Sequence, residues 1–181
     1  MINKILVALD TNESYEAVFQ VALDMAKAES AELTLLSVLS TDGTGELPTM
    51  AYPSLAGYPF AVPEYAWDAY QKQYDMCKRR GYETLSKLEH RATKVGVRAR
   101  VFQDVGDPGT LICNRAKTEK ASLVVVGTHG RRGINELLIG SVSSYVMHRA
   151  PCSVLIVRAQ TANTEAAESE AFTQDHKLTA A

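Results

Sequence analysis

The chain is expected to fold as an α/β protein with an open five-stranded parallel sheet and helices on both faces. Three observations predict this. Short runs rich in branched apolar residues recur at Lys4–Leu9, Ala31–Val38, Val97–Phe102, Ser122–Val126 and Cys152–Val157. Stretches with helical spacing of apolar residues separate them. The run Leu123-Val124-Val125-Val126 has no polar interruption, as a strand covered on both faces requires. Strands alternating with helices imply parallel pairing through right-handed crossovers.

The first strand stops at Asp10-Thr11-Asn12. Thr11, Asn12 and Ser14 offer capping oxygens for a helix from about Tyr15 to Glu29, with Val18, Ala22, Met25 and Ala26 on its buried face. After the second strand comes an irregular stretch, residues 40–63, holding most of the prolines together with Tyr52, Tyr58 and Phe60. Those aromatics either pin a long loop to its own domain or serve as a subunit contact or lid. From Glu64 to about Val95 the spacing is helical again, and Gly81 is a place for a bend or an interruption. The stripe Tyr65, Trp67, Tyr70, Tyr74 and Cys77 is expected in the core. Asp107-Pro108 starts a further helix, Asp as N-cap and Pro at the first position. Residues 1–158 are expected as one domain, with 159–181, rich in Ala, Thr, Glu and Gln, as a mobile tail.

Composition narrows the function. Hydrophobic content of 46% with 22% charged residues describes a soluble globular chain. A net charge of −2 speaks against a general nucleic-acid binder. Cys77, Cys113 and Cys152 are widely spaced and suggest reduced thiols rather than disulfides or a metal site. Neither a secretory segment nor a run of membrane-spanning length is evident, so the expected location is the cytoplasm, without a membrane span.

The chemistry concentrates after the fourth strand. Gly127-Thr128-His129-Gly130 is followed by Arg131-Arg132 and then by Gly140-Ser141 at a helix start, with the spacing Gly-x2-Gly-x9-Gly-Ser. A strand, a glycine-rich loop and a helix N-terminus together form a phosphate site, because glycine admits close backbone approach and the first helical amides attract an anion. Gly127, Gly130, Gly140, Ser141, Val142 and Ser143 are the candidates, with hydroxyl donors at Ser141 and Ser143. For Arg132 a solvated basic loop competes with phosphate binding, and for His129 a structural turn competes with ligand contact. Asp10, at the end of the first strand, either accepts from ribose hydroxyls or caps the first helix.

This spacing, with Val126-Gly127-Thr128-His129-Gly130 and Ala150-Pro151-Cys152-Ser153-Val154-Leu155-Ile156-Val157 around it, resembles the ATP-binding branch of the universal stress protein family. Ile5-Leu6-Val7-Ala8-Leu9-Asp10 and Val105-Gly106-Asp107-Pro108 extend the resemblance over roughly residues 1–158. It implies the strand order 3-2-1-4-5, which brings Asp10 and Gly127 to one crevice. It implies nucleoside contacts at Ala8 and Asp10, and a backbone contact from Val38 to the adenine edge. Leu9 stands where the family often has Thr or Val, which leaves a backbone role. It also implies ATP, AMP or ADP as ligand, with Mg2+ on the phosphates, and a homodimer formed through the final strand, Cys152 to Val157.

No catalytic or metal-ligating set stands out. There is no Walker lysine, no kinase-like carboxylate set, no Ser-His-Asp ordering and no Gly-x-Ser-x-Gly elbow. The leading expectation is a stress-associated nucleotide-binding module that reports to an unknown regulatory partner protein. The alternatives are a slow ATPase or autophosphorylating enzyme using the same crevice, and a dimer with a vestigial site.

Overall fold

The computed structural model describes residues 1–11, 15–40, 64–128 and 140–158. The strands are β1 (Lys4–Ala8), β2 (Glu32–Leu39), β3 (Ala99–Val105), β4 (Leu123–Gly127) and β5 (Ser153–Val157). The helices are α1 (Tyr15–Glu29), α2 (Glu64–Lys94), α3 (Pro108–Glu119) and α4 (Ser141–Arg149). All pairings are parallel and the sheet order is β3-β2-β1-β4-β5, as expected.

Strand alternation builds two cores. Ile5, Val7, Leu33, Leu35 and Val125 face α1 and α2, where they meet Phe19, Leu23, Leu85 and Leu88. Leu6, Leu36, Val124 and Val126 face α3 and α4, where they meet Ile112, Ala116 and Val146. Ile5 to Val7 and Leu123 to Val126 are buried throughout, which accounts for their unbroken apolar sequence. Phe19, absent from the expected helix face, is fully buried. Full burial of a side chain of this size contributes about 1.5–3 kcal/mol.

Arg91 of α2 forms a bidentate pair with Glu16 of α1 at 2.6 and 2.8 Å, with its guanidinium 4.9 Å from the Phe19 ring centre. That hydrogen-bonded guanidinium holds the Glu16 carboxyl below its ordinary range. A lowered folded-state pKa gives stability that is present above the unfolded carboxylate range and lost as pH falls through the folded value. Glu16→Gln should therefore flatten the acid limb of the stability curve. The pair is exposed, so the loss at neutral pH should stay below about 1 kcal/mol in urea unfolding.

Three expectations are corrected. The third strand begins at Ala99, later than Val97, and runs on to Val105. Val97 instead donates to Ala92 O at 3.0 Å across Gly96, whose φ of +82° ends α2. Gly81 does not interrupt α2. A Cβ there would lie 2.4 Å from Gln103 Nε2, so the glycine serves close packing on β3. The aromatic stripe is not core: Trp67 is 49% exposed, and Tyr70 and Tyr74 are only half-buried. Of the remaining expectations, the bulk of the 40–63 loop, the capping residues Asn12 and Ser14, and the 159–181 tail lie outside the described residues.

Candidate functional site

From β1 the chain winds towards β2 and β3 on one side, and β4 and β5 lie on the other. The sheet therefore changes winding direction between β1 and β4, and a crevice opens beyond the carboxyl ends of those strands. Ile5, Leu6 and Val7 pair with Leu123, Val124 and Val125. Asp10 and Gly127 thus emerge on neighbouring strands.

Ala8 and Val38 pack at the edge of the core formed with α3 and α4, each half-buried. Both side chains lie on the face that α3 and α4 cover, at the ends of adjacent strands. Asp10 is exposed just past the end of β1. Leu9 points to the opposite face, where it is 4% exposed, and its amide donates to Leu36 O at 2.8 Å. Any ligand role for Leu9 is left to its carbonyl.

The return from β4 to α4 is held by local hydrogen bonds. Thr128 N donates to Val157 O at 2.9 Å, and Gly140 N donates to Thr128 O at 2.7 Å. Thr128, which sequence reasoning passed over, therefore docks the start of α4 onto the end of β4. The Ser143 hydroxyl donates to Gly127 O. Ser143 is buried, so its hydroxyl acts as a structural tie and only its amide is left for an anion. Ser143→Ala would leave the Gly127 carbonyl short of a donor. It should cost about 1–3 kcal/mol in urea unfolding.

Gly127 has a packing reason for its identity as well. A Cβ there would lie 3.3 Å from Val18 Cγ2, on the α1 side of the sheet and away from the crevice.

Two helices start on the crevice face of the sheet, and they start differently. At α3, Asp107 is the N-cap and its carboxylate accepts from Thr110 N at 2.8 Å. At α4 the N-cap is Gly140, with extended backbone (φ −58°, ψ 156°) and no side-chain cap. Ser141 is thus the first helical residue and not the cap. Its neighbour Val142 packs inward on the core while Ser141 is exposed. The first amides of a helix have no partner inside it. At α3 one is satisfied by Asp107. At α4 the N-cap is a glycine and makes no side-chain cap hydrogen bond.

The two helices are in close contact: a Cβ on Gly109 would lie 2.7 Å from the Tyr145 ring, and Thr110 Oγ1 and Tyr145 OH are 3.3 Å apart. Burial raises the Cys113 and Cys152 thiols above their ordinary range, which disfavours thiolate chemistry at either. Among the described residues no group of three or more His, Cys, Asp or Glu is placed to hold a metal ion. His129, Gly130 and Arg132 lie outside the described residues.

A doubly wound parallel sheet whose winding reverses beside an uncapped helix start belongs to the α/β class that takes ligands at its switch point. The chain is a member of the universal stress protein family, whose family model matches residues 1–158. Universal stress protein YxiE of Bacillus subtilis is 35% identical over 158 residues, covering 87% of this chain and 100% of the relative. The solved universal stress protein UspA from Lactobacillus plantarum superposes with a TM-score of 0.68 at 21% identity, over 87% of this chain and 98% of that one. The Arabidopsis thaliana family protein At3g01520, solved with AMP bound, gives a TM-score of 0.57 at 22% identity, over 90% and 95% of the two chains. Among the described residues no helix is long and apolar enough to cross a membrane.

Proposed function

We propose that this chain binds an adenine nucleotide, ATP or its relatives AMP and ADP, in the crevice between β1 and β4. The observation that carries the reading is the contrast between the two helix starts: one is closed by its own carboxylate, while the one beside the switch point carries a glycine. Phosphates would be held by the amides of Ser141, Val142 and Ser143, joined by the loop residues His129, Gly130 and Arg132. Ala8 and Val38 would border the nucleoside, Val38 and Leu9 through their backbone, and Asp10 would accept from the ribose. Gly127 contributes by letting α1 and β4 approach. The AMP held by the Arabidopsis relative supports the ligand class. Mg2+, where it accompanies the nucleotide, would be carried on phosphate oxygens.

In this reading residues 1–158 are the working unit and 159–181 an appended tail. The protein acts in the cytoplasm in a stress response, as a homodimer joined along β5, and a regulatory protein reads its nucleotide state. Binding without rapid chemistry suits a switch whose ligand shifts the populations of two states.

The test is mass spectrometry of small molecules released from the purified protein, paired with steady-state ATP hydrolysis in Mg2+. An adenine nucleotide with slow turnover is the expected result. Turnover near the roughly 10 s⁻¹ typical of enzymes would replace the binder by an ATPase.

A further inference from the structure

We propose that Gly109 and Tyr145 are positioning residues for the phosphate end of the site: the first turn of α3 seats the Tyr145 ring, and that seat fixes where the amides at the start of α4 point. The proposal rests on the adenine nucleotide reading and names what holds its phosphate half in place.

The α4 helix is nine residues long. A helix this short has little stability of its own, so its neighbours decide its position. Val142 and Val146 pack it on the core, and Gly140 and Ser143 tie its start to Thr128 and Gly127. Its other support is α3, the element that α4 contacts most among those described.

The seat is built from the first turn of α3. Asp107 and Pro108 fix that turn, one through its carboxylate on Thr110 N at 2.8 Å, the other through its restricted φ. Gly109 follows and is buried. The Tyr145 ring fills the space that a side chain there would need: an added Cβ would lie 2.7 and 2.9 Å from Tyr145 Cδ1 and Cγ, and 3.3 Å from Tyr145 Cβ. A glycine in a helix costs up to about 1 kcal/mol against alanine; here it makes room for the ring. Thr110 Oγ1 meets Tyr145 OH at 3.3 Å, and the Arg149 guanidinium lies over the ring, 5.2 Å from its centre.

A methyl group on Gly109 would therefore push on α4. The ring is 36% exposed and could swing aside. Its Cβ could not, because rotation about χ1 leaves Cβ where the helix backbone puts it. Between the two helices α4 is the one to yield, since α3 packs on β1 and β2 inside the sheet and α4 packs on the edge strand β5. Tyr145 comes one turn after Ser141, so a shift at Tyr145 carries the amides of Ser141, Val142 and Ser143 with it. The nucleoside contacts at the ends of β1 and β2 belong to other elements and stay in place.

The experiment titrates ATP and adenosine by calorimetry into the full chain, Gly109→Ala, Tyr145→Ala and the double variant. Gly109→Ala should lose about tenfold in ATP affinity, the low end for one hydrogen bond to a charged group, and less than about twofold in adenosine affinity. Tyr145→Ala should show the same contrast, and it carries the test alone if Gly109→Ala does not fold. Adding Gly109→Ala to Tyr145→Ala should cost nothing further, because the ring atoms nearest the methyl group are gone. Wild-type ATP affinity in Gly109→Ala would overturn the proposal, as would equal losses for ATP and adenosine, or losses that add in the double variant. Those outcomes leave the nucleotide reading standing. A wild-type chain that binds neither ligand would overturn that reading and this proposal with it.

Discussion

Gly140→Asp should lower adenine nucleotide affinity by at least about 100-fold while leaving the fold as stable as before or slightly more so. An aspartate there would do at α4 what Asp107 does at α3, where the carboxylate accepts from the backbone amide of Thr110. It would occupy an amide that the phosphates need and place a negative charge where they sit. Losing one hydrogen bond to a charged group, at about 1.5–3 kcal/mol, together with the repulsion between the carboxylate and the phosphates, corresponds to this loss or more. The same carboxylate improves the cap over glycine by a few tenths of a kcal/mol and suits the helix dipole. Opposite signs for binding and stability separate this mechanism from simple damage to the fold. Arg132→Ala should be much milder, because surface charge is screened and partly redundant. Calorimetric titration beside thermal melts reads both quantities. Reduced stability in Gly140→Asp, or equal affinity losses in the two variants, would remove the helix-terminus argument.

Leu155→Lys should convert a homodimer to a monomer. The sheet has two edges, and the chain treats them differently. On β3, Arg100 pairs with Glu119 at 2.7 Å, and Arg98, just before the strand, pairs with Glu32 at 2.7 Å. Charges of this kind block pairing with another strand. From Ser153 to Val157, β5 carries no charge, and Val154, Leu155 and Ile156 are only half-buried. An uncharged apolar edge of this kind invites its symmetry mate. Light scattering at roughly 10 μM, well above the dissociation constants of stable interfaces, should give twice the 19.8 kDa chain mass for the wild type. The variant should give the single-chain mass with its circular dichroism spectrum retained. A monomeric wild type would contradict the β5 interface.

The sheet was legible because its signals are local. Leu123 to Val126 could be placed from composition alone, and Asp107-Pro108 marked a helix start to the residue. The ends of elements were less legible because they depend on partners distant in sequence. Val97 reads as strand until Gly96 turns it back onto Ala92, and β4 includes Gly127 because Val157 pairs with it. The aromatic stripe of α2 has the spacing of a core face. Nothing in that spacing says that Trp67 is left half exposed while Leu85 and Leu88, further along the same face, are buried.

At the site, the strand order that the family resemblance implies set Asp10 and Gly127 on neighbouring strands, as the structure has them, but the reading of the residues assigned chemistry to side chains that the fold uses differently. Ser143 is spent on the Gly127 carbonyl, and Leu9 faces the other core. Thr128 lies inside the motif but no role was assigned to it, since its contribution is made by backbone atoms.

Photolabelling with 8-azido-ATP, followed by peptide mapping, tests the placement of the nucleotide most directly. The label should appear on the segments at the ends of β1 and β2, around residues 8–11 and 38–40, and should be displaced by ATP and by AMP. A label that ATP does not displace, or one confined to the opposite rim of the sheet, would contradict adenine nucleotide binding in the crevice between β1 and β4.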